Sequence, residues 1–164
     1  MPKPPLMMTG HSDIFQTPKI AVEILVPYLT PGARIWEPAC GLNRISQYLA
    51  GLGYRVIPSD INEDFLVTTK SCDYIVTNPP YSIKDQFLER CYELNTPFAL
   101  LLPLTALEGE RRQRLYRKYG LQLLIPNKRF NFETPSGKGS GSWFATAWFT
   151  RWMELESDLT FVEI

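Results

Sequence analysis

Apolar residues recur along the chain in short runs that alternate with stretches of helical spacing. Residues 98–104 are almost continuously apolar, which is typical of a parallel strand covered on both faces. In residues 18–29 the apolar positions instead follow helical spacing, directly after Thr17-Pro18, a pair typical of a helix start. The same patterns predict strands over 34–39, 54–59, 74–77, 98–104, 121–125 and 143–150, and helices over 18–29, 44–52, 82–95 and 108–119.

Strands that alternate with helices predict an α/β fold with a mostly parallel sheet. The last apolar run, 143–150, is expected to join the sheet as an antiparallel C-terminal strand. The segment between Asp60 and Asp73 is too short for a full helix and a further strand, so one edge of the sheet is expected to be trimmed. We expect one domain over 1–164, with a loosely ordered arm over 1–12 and a tail after 150 that carries no recognisable motif.

Composition limits the classes of protein. With 45% hydrophobic and 21% charged residues the 164-residue chain is expected to be globular. No apolar run approaches a membrane span, and the Pro-rich start does not look like a signal peptide. Three cysteines without metal-ligand spacing suggest free thiols in a reducing, cytoplasmic compartment. One histidine, His11, excludes most His-based catalysis and His-rich metal sites, so no metal is expected. The formal net charge of +0 decides nothing about nucleic acid.

A short apolar strand over 74–77 stops at Asn78-Pro79-Pro80-Tyr81. Proline fixes φ and lacks an N–H, and it pushes the preceding residue to an extended conformation. The carbonyls of Asn78 and Pro79 are therefore expected to project at the carboxyl end of the strand, where open α/β sheets bind ligands. The alternative is a strand that simply ends in a surface turn.

Two further strand ends carry candidate ligand-binding residues. The strand over 34–39 leads through Gly41 to a helix, the geometry of a turn that cradles a nucleotide, or of a plain strand-to-helix turn. Asn43 tolerates the left-handed φ that such a turn requires. Asp60 ends the next strand and is placed either to accept hydrogen bonds from a ribose diol or to form an Asx turn.

Together these motifs resemble those of the S-adenosylmethionine-dependent amino-methyltransferases, which act on adenine, on cytosine or on a protein glutamine amide. Asn78 to Tyr81 resembles the family's catalytic motif, and Phe15 to Pro18 its N-terminal motif. Glu37 to Asn43 resembles its cofactor loop, with Asn43 in place of a glycine. The resemblance implies a Rossmann-like class I methyltransferase fold, with S-adenosylmethionine as cofactor. The residues that it assigns to the cofactor are Phe15, Gln16, Thr17, Glu37, Ala39, Gly41, Asp60, Ile61, Asp64, Phe65 and Asn78.

The resemblance also implies a mechanism. The Asn78 side-chain oxygen and the Pro79 carbonyl would accept hydrogen bonds from the target amine, with Pro80 completing the catalytic motif and Tyr81 stacking on a flipped base. Family members place a second aromatic residue against that base, and Phe130 or Phe132 is expected in this role here. Phe65 would flank the adenine of the cofactor, and the alternative is that it is an ordinary core residue. The residues assigned to the substrate are Tyr81, Phe130, Phe132, Arg129 and Lys138.

The substrate stays open at this point. Adenine N6 in DNA is the first expectation; the alternatives are adenine in RNA, cytosine N4, or a cofactor-binding subunit without activity of its own. Cytosine enzymes of the family more often have Ser where Asn78 stands, which favours adenine. No separate target-recognition domain is expected, so recognition would depend on loops, a second protomer or a partner protein. Because proteins with these motifs are typically encoded by bacteria or phages, the resemblance implies a bacterial or phage origin.

Two later segments add to this picture. The helix over 108–119 is rich in arginine, and these side chains either form a solvated face or follow a phosphate backbone. Residues 136–142 are a Gly/Ser tract that predicts a mobile loop; its spacing does not match a phosphate-binding P-loop.

Overall fold

The computed structural model describes residues 16–41, 43–60, 63–134, 137–138 and 144–164. The expected arm over 1–12 and most of the Gly/Ser tract lie outside these residues. The helices are α1 Lys19–Glu23, α2 Arg44–Gly51, α3 Lys84–Leu94 and α4 Glu110–Tyr119. The strands are β1 Arg34–Glu37, β2 Arg55–Pro58, β3 Tyr74–Thr77, β4 Phe98–Pro103, β5 Gln122–Pro126, β6 Glu133–Thr134, β7 Gly137–Lys138, β8 Thr146–Arg151 and β9 Leu159–Val162.

Seven of these strands form one sheet in the order β2-β1-β3-β4-β8-β5-β9. The first four in that order are parallel to one another. Strand β8 runs antiparallel to both β4 and β5. The predicted mostly parallel sheet with an antiparallel strand near the C-terminus is therefore confirmed. Strand β9, which pairs in parallel with β5, lies in the tail where the sequence pattern predicted nothing.

The trimmed edge is also as predicted. Strand β2 is the last strand on its side, and residues 63–73 form turns and loop rather than a helix and strand. Arg90 of α3 fixes this loop, because it donates hydrogen bonds to the carbonyls of Phe65 at 3.1 Å and Thr68 at 3.0 Å and to the Thr69 hydroxyl at 3.2 Å. The loop over 63–73, tethered by Arg90, therefore takes the place of the helix and strand that a longer segment would form.

Each face of the sheet is covered by a separate hydrophobic core. Helices α1 and α2 pack on one face, where Val22, Leu49 and Trp148 are fully buried or nearly so. Helix α3 and its neighbours cover the other, around Leu88 and Phe149. The Trp148 indole N–H donates to the Ala21 carbonyl at 2.8 Å, so this buried polar group is satisfied.

The first helix is shorter than its apolar pattern predicts. Helix α1 ends at Glu23, and a 3-10 turn over Val26–Tyr28 completes the segment. Pro27 explains the change, because it has no N–H to donate to the carbonyl four residues earlier.

Candidate active site

The carboxyl ends of β1, β2 and β3 lie at one edge of the sheet because the three strands are parallel. The residues that follow these strands therefore converge, as the motifs predict. A cavity of about 30 Å³ lies here. Its lining brings together residues of three separate motifs: Gln16, Thr17, Glu37, Ala39, Cys40, Gly41, Arg44, Ile45 and Asn78.

The loop between β1 and α2 has the backbone of a tight turn. Gly41 has φ +51° and Asn43 has φ +62°, so asparagine adopts the left-handed conformation expected of it. The Asn43 N–H donates to the Cys40 carbonyl at 2.7 Å. The Gln16 side chain lies over this turn, with its amide atoms 3.9 and 4.0 Å from where a Cβ on Gly41 would stand. The backbone of the turn between β1 and α2 therefore faces the cavity, and the Gln16 side chain makes this cavity narrower.

Glu37 is a buried carboxyl, with 1% of its surface exposed. The Ser46 hydroxyl donates to its Oε1 at 2.7 Å and the Thr77 hydroxyl donates to its Oε2 at 3.1 Å. Burial raises the pKa of Glu37 from 4.5 to about 7, although both hydrogen bonds lower it. Because these hydroxyls and the Ser46 backbone N–H, which also donates to Glu37, are all neutral, none of them compensates the charge of the ionised carboxylate. A cationic ligand group would do so.

Asn78 follows β3 and has one satisfied and one unsatisfied end. Its Nδ2 donates to the Thr17 hydroxyl at 3.2 Å. Its Oδ1 is buried and has no hydrogen-bond partner within the described part of the chain. A buried acceptor without a partner costs about 1–3 kcal/mol, so it marks a place where a ligand donor would be favourable.

Thr17 does not cap α1 as the sequence predicts. The helix begins at Lys19 with Pro18 at the N-cap position and no side-chain cap. The Thr17 side chain instead turns towards Asn78 and is buried, with 4% exposed.

An aromatic pair lies beside the Asn-Pro-Pro-Tyr segment. Tyr81 begins a 3-10 turn over Tyr81–Ile83 and is half-buried. Its ring centroid is 5.7 Å from that of Phe144, with the planes tilted by 59°. Phe144 was missed by the sequence analysis, although a signal exists: an antiparallel strand starts at the edge where its parallel neighbours end, and Thr146 is in register with Pro103.

Two predicted aromatic contacts need correction. Phe130 and Phe132 are 1% and 5% exposed and lie in the core, with their rings edge to face at 6.4 Å. The prediction that either stacks on a base is wrong for this reason. Phe65 is 3% exposed and packs against Trp36 and Phe87, so it is a core residue and does not flank a ligand ring.

The other assigned residues are placed as follows. Asp60 is exposed two residues after the end of β2, at the expected edge. Asp64 is exposed, and its Oδ1 accepts the Leu66 N–H at 2.9 Å in a local Asx turn. Arg129 is exposed after β5. Phe15, Ile61 and the side chain of Lys138 lie outside the described residues.

The arginines of α4 divide into two groups. Arg111 pairs with Glu89, and Arg112 donates to Asp85 at 2.8 Å, so both tie α4 to α3. Arg114 is 77% exposed, with its guanidinium 3.8 Å from Glu110. Arg111, 52% exposed, and Arg114 therefore fit the solvated-face interpretation, whereas Arg112 is only 16% exposed and links α4 to α3.

A larger groove lies elsewhere in the described part of the chain. It has a volume of about 810 Å³ and is lined by residues such as Tyr28, Arg55, Tyr74 and Trp152. Tyr74 begins β3, so this groove is at the amino ends of the parallel strands. It contains none of the motif residues and no buried polar side-chain atom without a partner, which is why we place the site at the smaller cavity. Every helix in the described ranges is too short or too polar to span a membrane.

No protein-family model and no curated protein matches this sequence. Solved structures do resemble it. A Pyrococcus horikoshii protein described as an RNA methyltransferase has a TM-score of 0.61 at 14% identity, over 92% of this chain and 97% of that one. A precorrin-6y C5,15-methyltransferase from Geobacter metallireducens has a TM-score of 0.56 at 10% identity, over 80% and 84%. A type I restriction-modification methyltransferase subunit from Streptococcus thermophilus has a TM-score of 0.54 at 14% identity, over 92% of this chain but 47% of that one.

These neighbours share a fold, although the names of the first two give different substrates. At 10–14% identity the likeness establishes architecture and leaves the substrate to be argued from the site. The chain has the Rossmann-like fold of the class I S-adenosylmethionine-dependent methyltransferases.

Proposed function

We propose that this chain transfers a methyl group from S-adenosylmethionine to the exocyclic N6 amine of adenine in DNA. The observation that carries the proposal is the Asn78 side chain. Its oxygen is a buried acceptor without a partner, held at the carboxyl edge of the sheet beside a left-handed glycine turn. An amine with two N–H bonds is the kind of group that such an acceptor binds.

The residues at the cavity suit the proposed cofactor chemically. S-adenosylmethionine, when bound, supplies a methyl group already activated by its sulfonium. Glu37 is a buried carboxyl whose charge lacks a cationic partner among its hydrogen bonds, which suits an ammonium group. Asp60 would accept the hydroxyls of a ribose, and the Gly41 turn allows close backbone approach.

The transfer requires a better nucleophile than free adenine offers. The lone pair of the exocyclic nitrogen is delocalised into the ring. When Asn78 Oδ1 and the Pro79 carbonyl accept its two N–H bonds, the nitrogen is favoured in a tetrahedral form whose lone pair is available. The same two acceptors would stabilise the positive charge that develops on the nitrogen as the new N–C bond replaces the methyl–sulfur bond, and that charge would leave as one N–H proton. Such an effect is typically worth about 3–4 kcal/mol per well-placed group.

The Tyr81 and Phe144 pair supports a planar substrate. Both rings are half-buried, and Tyr81 belongs to the same Asn-Pro-Pro-Tyr segment as the two acceptors, so the pair offers aromatic surface close to that segment. Stacking on such surface stabilises a base by about 1–3 kcal/mol. A base inside a duplex is out of reach, so the adenine is flipped or single-stranded when it reacts.

RNA adenine is a second candidate, because one solved structure of the same fold is described as an RNA methyltransferase. Cytosine N4 is less favoured, since Ser is the more frequent residue in cytosine enzymes where this chain has Asn78. Target recognition would come from a second protomer or a partner protein; the Streptococcus thermophilus neighbour is itself described as a subunit of a larger system.

The test is a labelled-methyl transfer assay on unmethylated genomic DNA and on total RNA, with nucleoside mass spectrometry of the products. We expect N6-methyladenine in DNA from the wild type and a loss of about 100-fold or more in Asn78→Ala. Asn127→Ala, which removes an exposed amide after β5, is the control and should retain activity. Methylation of RNA alone, or of cytosine, would show that the substrate is that polymer or base and not adenine in DNA. Cofactor binding without methylation of either polymer would favour a binding subunit.

A further inference from the structure

A side-chain amide has two chemically opposite ends of nearly equal size. One end, the oxygen, only accepts hydrogen bonds, and the other, the NH₂, only donates them. For Asn78 to receive a target amine, the oxygen must face the substrate and the NH₂ must face the protein. If the side chain turned over, donor would meet donor and the target amine would be repelled.

In the described structure one contact to the NH₂ end bears on this orientation. The Thr17 hydroxyl accepts a hydrogen bond from Asn78 Nδ2 at 3.2 Å. With the amide reversed, the Thr17 hydroxyl could donate to Oδ1, but the NH₂ group would lose the acceptor that it has here. The observed orientation satisfies one N–H and leaves the carbonyl oxygen open, and an unpaired buried carbonyl oxygen is tolerated more often than an unpaired N–H.

Thr17 is itself held firmly. It is 4% exposed and directly precedes Pro18, whose ring restricts the conformation of the residue before it. Ala21 and Val22 of the helix that follows are completely buried in the core. The Thr17 hydroxyl therefore has a fixed position relative to Asn78, which directly follows β3.

We propose that Thr17 is a positioning residue, whose hydroxyl holds the Asn78 amide so that Oδ1 faces the substrate amine. This inference rests on the proposed function for its consequence, and it differs from the cofactor contact that the sequence motif implies for Thr17. Thr17 touches neither the reacting nitrogen nor the methyl group in this role, and it acts through Asn78.

Two variants separate the hydroxyl from the shape of the side chain. Thr17→Val is close in volume and lacks the hydroxyl, whereas Thr17→Ser keeps it. At saturating cofactor we expect Thr17→Val to lower kcat about 10- to 100-fold, with less than about a threefold change in KM for the oligonucleotide. Thr17→Ser should stay within about threefold of the wild type. In an Asn78→Ala background, Thr17→Val should cause no further loss, because the group that it positions is absent.

The contrary result is equally specific. If Thr17→Val has the wild-type kcat once the cofactor is saturating, the substitution affects cofactor binding alone. Thr17 is then a cofactor contact only, and the positioning role is overturned. Equal additional losses in the wild-type and Asn78→Ala backgrounds would also overturn it.

A second readout does not depend on activity. Hydrogen exchange of the Asn78 side-chain NH₂, followed by NMR on asparagine-labelled protein, should be at least about tenfold faster in Thr17→Val than in the wild type and in Thr17→Ser. If this difference appears while the wild type methylates nothing, the contact stands and the proposed function fails. If exchange is unchanged, the positioning role fails whatever the activity.

Discussion

The ring of Tyr81, which follows β3, lies 5.7 Å from the ring of Phe144, which precedes β8. The two residues are far apart in sequence and come together because β8 runs antiparallel to β4 and so starts at the edge where β3 and β4 end. This pairing places a second aromatic ring beside Tyr81, which the Asn-Pro-Pro-Tyr motif alone does not contain.

The first prediction concerns Phe144 of this aromatic pair. Phe144→Ala should weaken binding of an adenine-containing single-stranded oligonucleotide by about 5- to 100-fold, because loss of stacking costs about 1–3 kcal/mol per base. Fluorescence anisotropy titration measures the change. Phe161→Ala is the matched control, since Phe161 is 73% exposed on β9 and lies away from the site. Equal effects of the two substitutions would remove Phe144 from the substrate site.

The second prediction concerns the pKa of Glu37. The pKa is raised from 4.5 to about 7 by burial, so the folded state holds the proton more tightly than the unfolded state. The contribution of Glu37 to stability is therefore fully present below pH 4.5 and is lost as the pH rises through about 7. Glu37→Gln should remove this loss, which makes its free energy of unfolding less dependent on pH between 5 and 8.

Urea unfolding of both proteins at several pH values measures that difference. The comparison is made between slopes, because other groups titrate in both proteins alike. A wild-type slope equal to that of Glu37→Gln would show that the Glu37 carboxyl has an ordinary pKa. In addition, binding of S-adenosylmethionine at pH 6 should release a proton from the wild type and none from the variant, as measured by calorimetry in buffers of different ionisation enthalpy.

The third prediction concerns the tethered loop at the trimmed edge. Arg90→Met keeps the apolar stem and removes three hydrogen bonds to residues 65–69. We expect a loss of about 2–4 kcal/mol in the free energy of unfolding. Backbone amides of residues 63–70 should also exchange faster, as mass spectrometry of deuterium uptake would show.

Arg114→Met is the control for that experiment. Arg114 is 77% exposed, and such surface changes usually stay within about 0.5 kcal/mol. If Arg90→Met had a similarly small effect and left exchange unchanged, the loop would be held by the Phe65 side chain in the core and not by the arginine.

The parallel half of the fold could be predicted because its signals are local. A continuous apolar run such as 98–104, or an apolar strand stopped by Pro79, is visible within a few residues. The convergence of Gln16, Glu37, Gly41 and Asn78 follows from parallel pairing, which brings like ends of strands to one edge. For these residues the sequence pattern and the fold agree.

The failures have a common physical origin. Phe130 and Phe132 look like substrate contacts beside Arg129, yet whether an aromatic ring faces solvent or core depends on elements distant in sequence. Phe144 and β9 depend on strand pairing over long separations, and in β9 only alternate residues face the protein. Hydrogen bonds such as those from Arg90 to the 65–69 loop leave no periodic pattern at all.

The position of β8 has a consequence for how the chain folds as it is synthesised. Strand β8 lies between β4 and β5, yet it follows both in sequence. In the complete sheet β4 and β5 lie about 10 Å apart with β8 between them, so neither can pair with β8 until residues 146–151 have left the ribosome. Completion of the sheet must therefore wait for the last part of the chain, and a nascent chain stalled before β8 exposes two unpaired strand edges that invite aggregation.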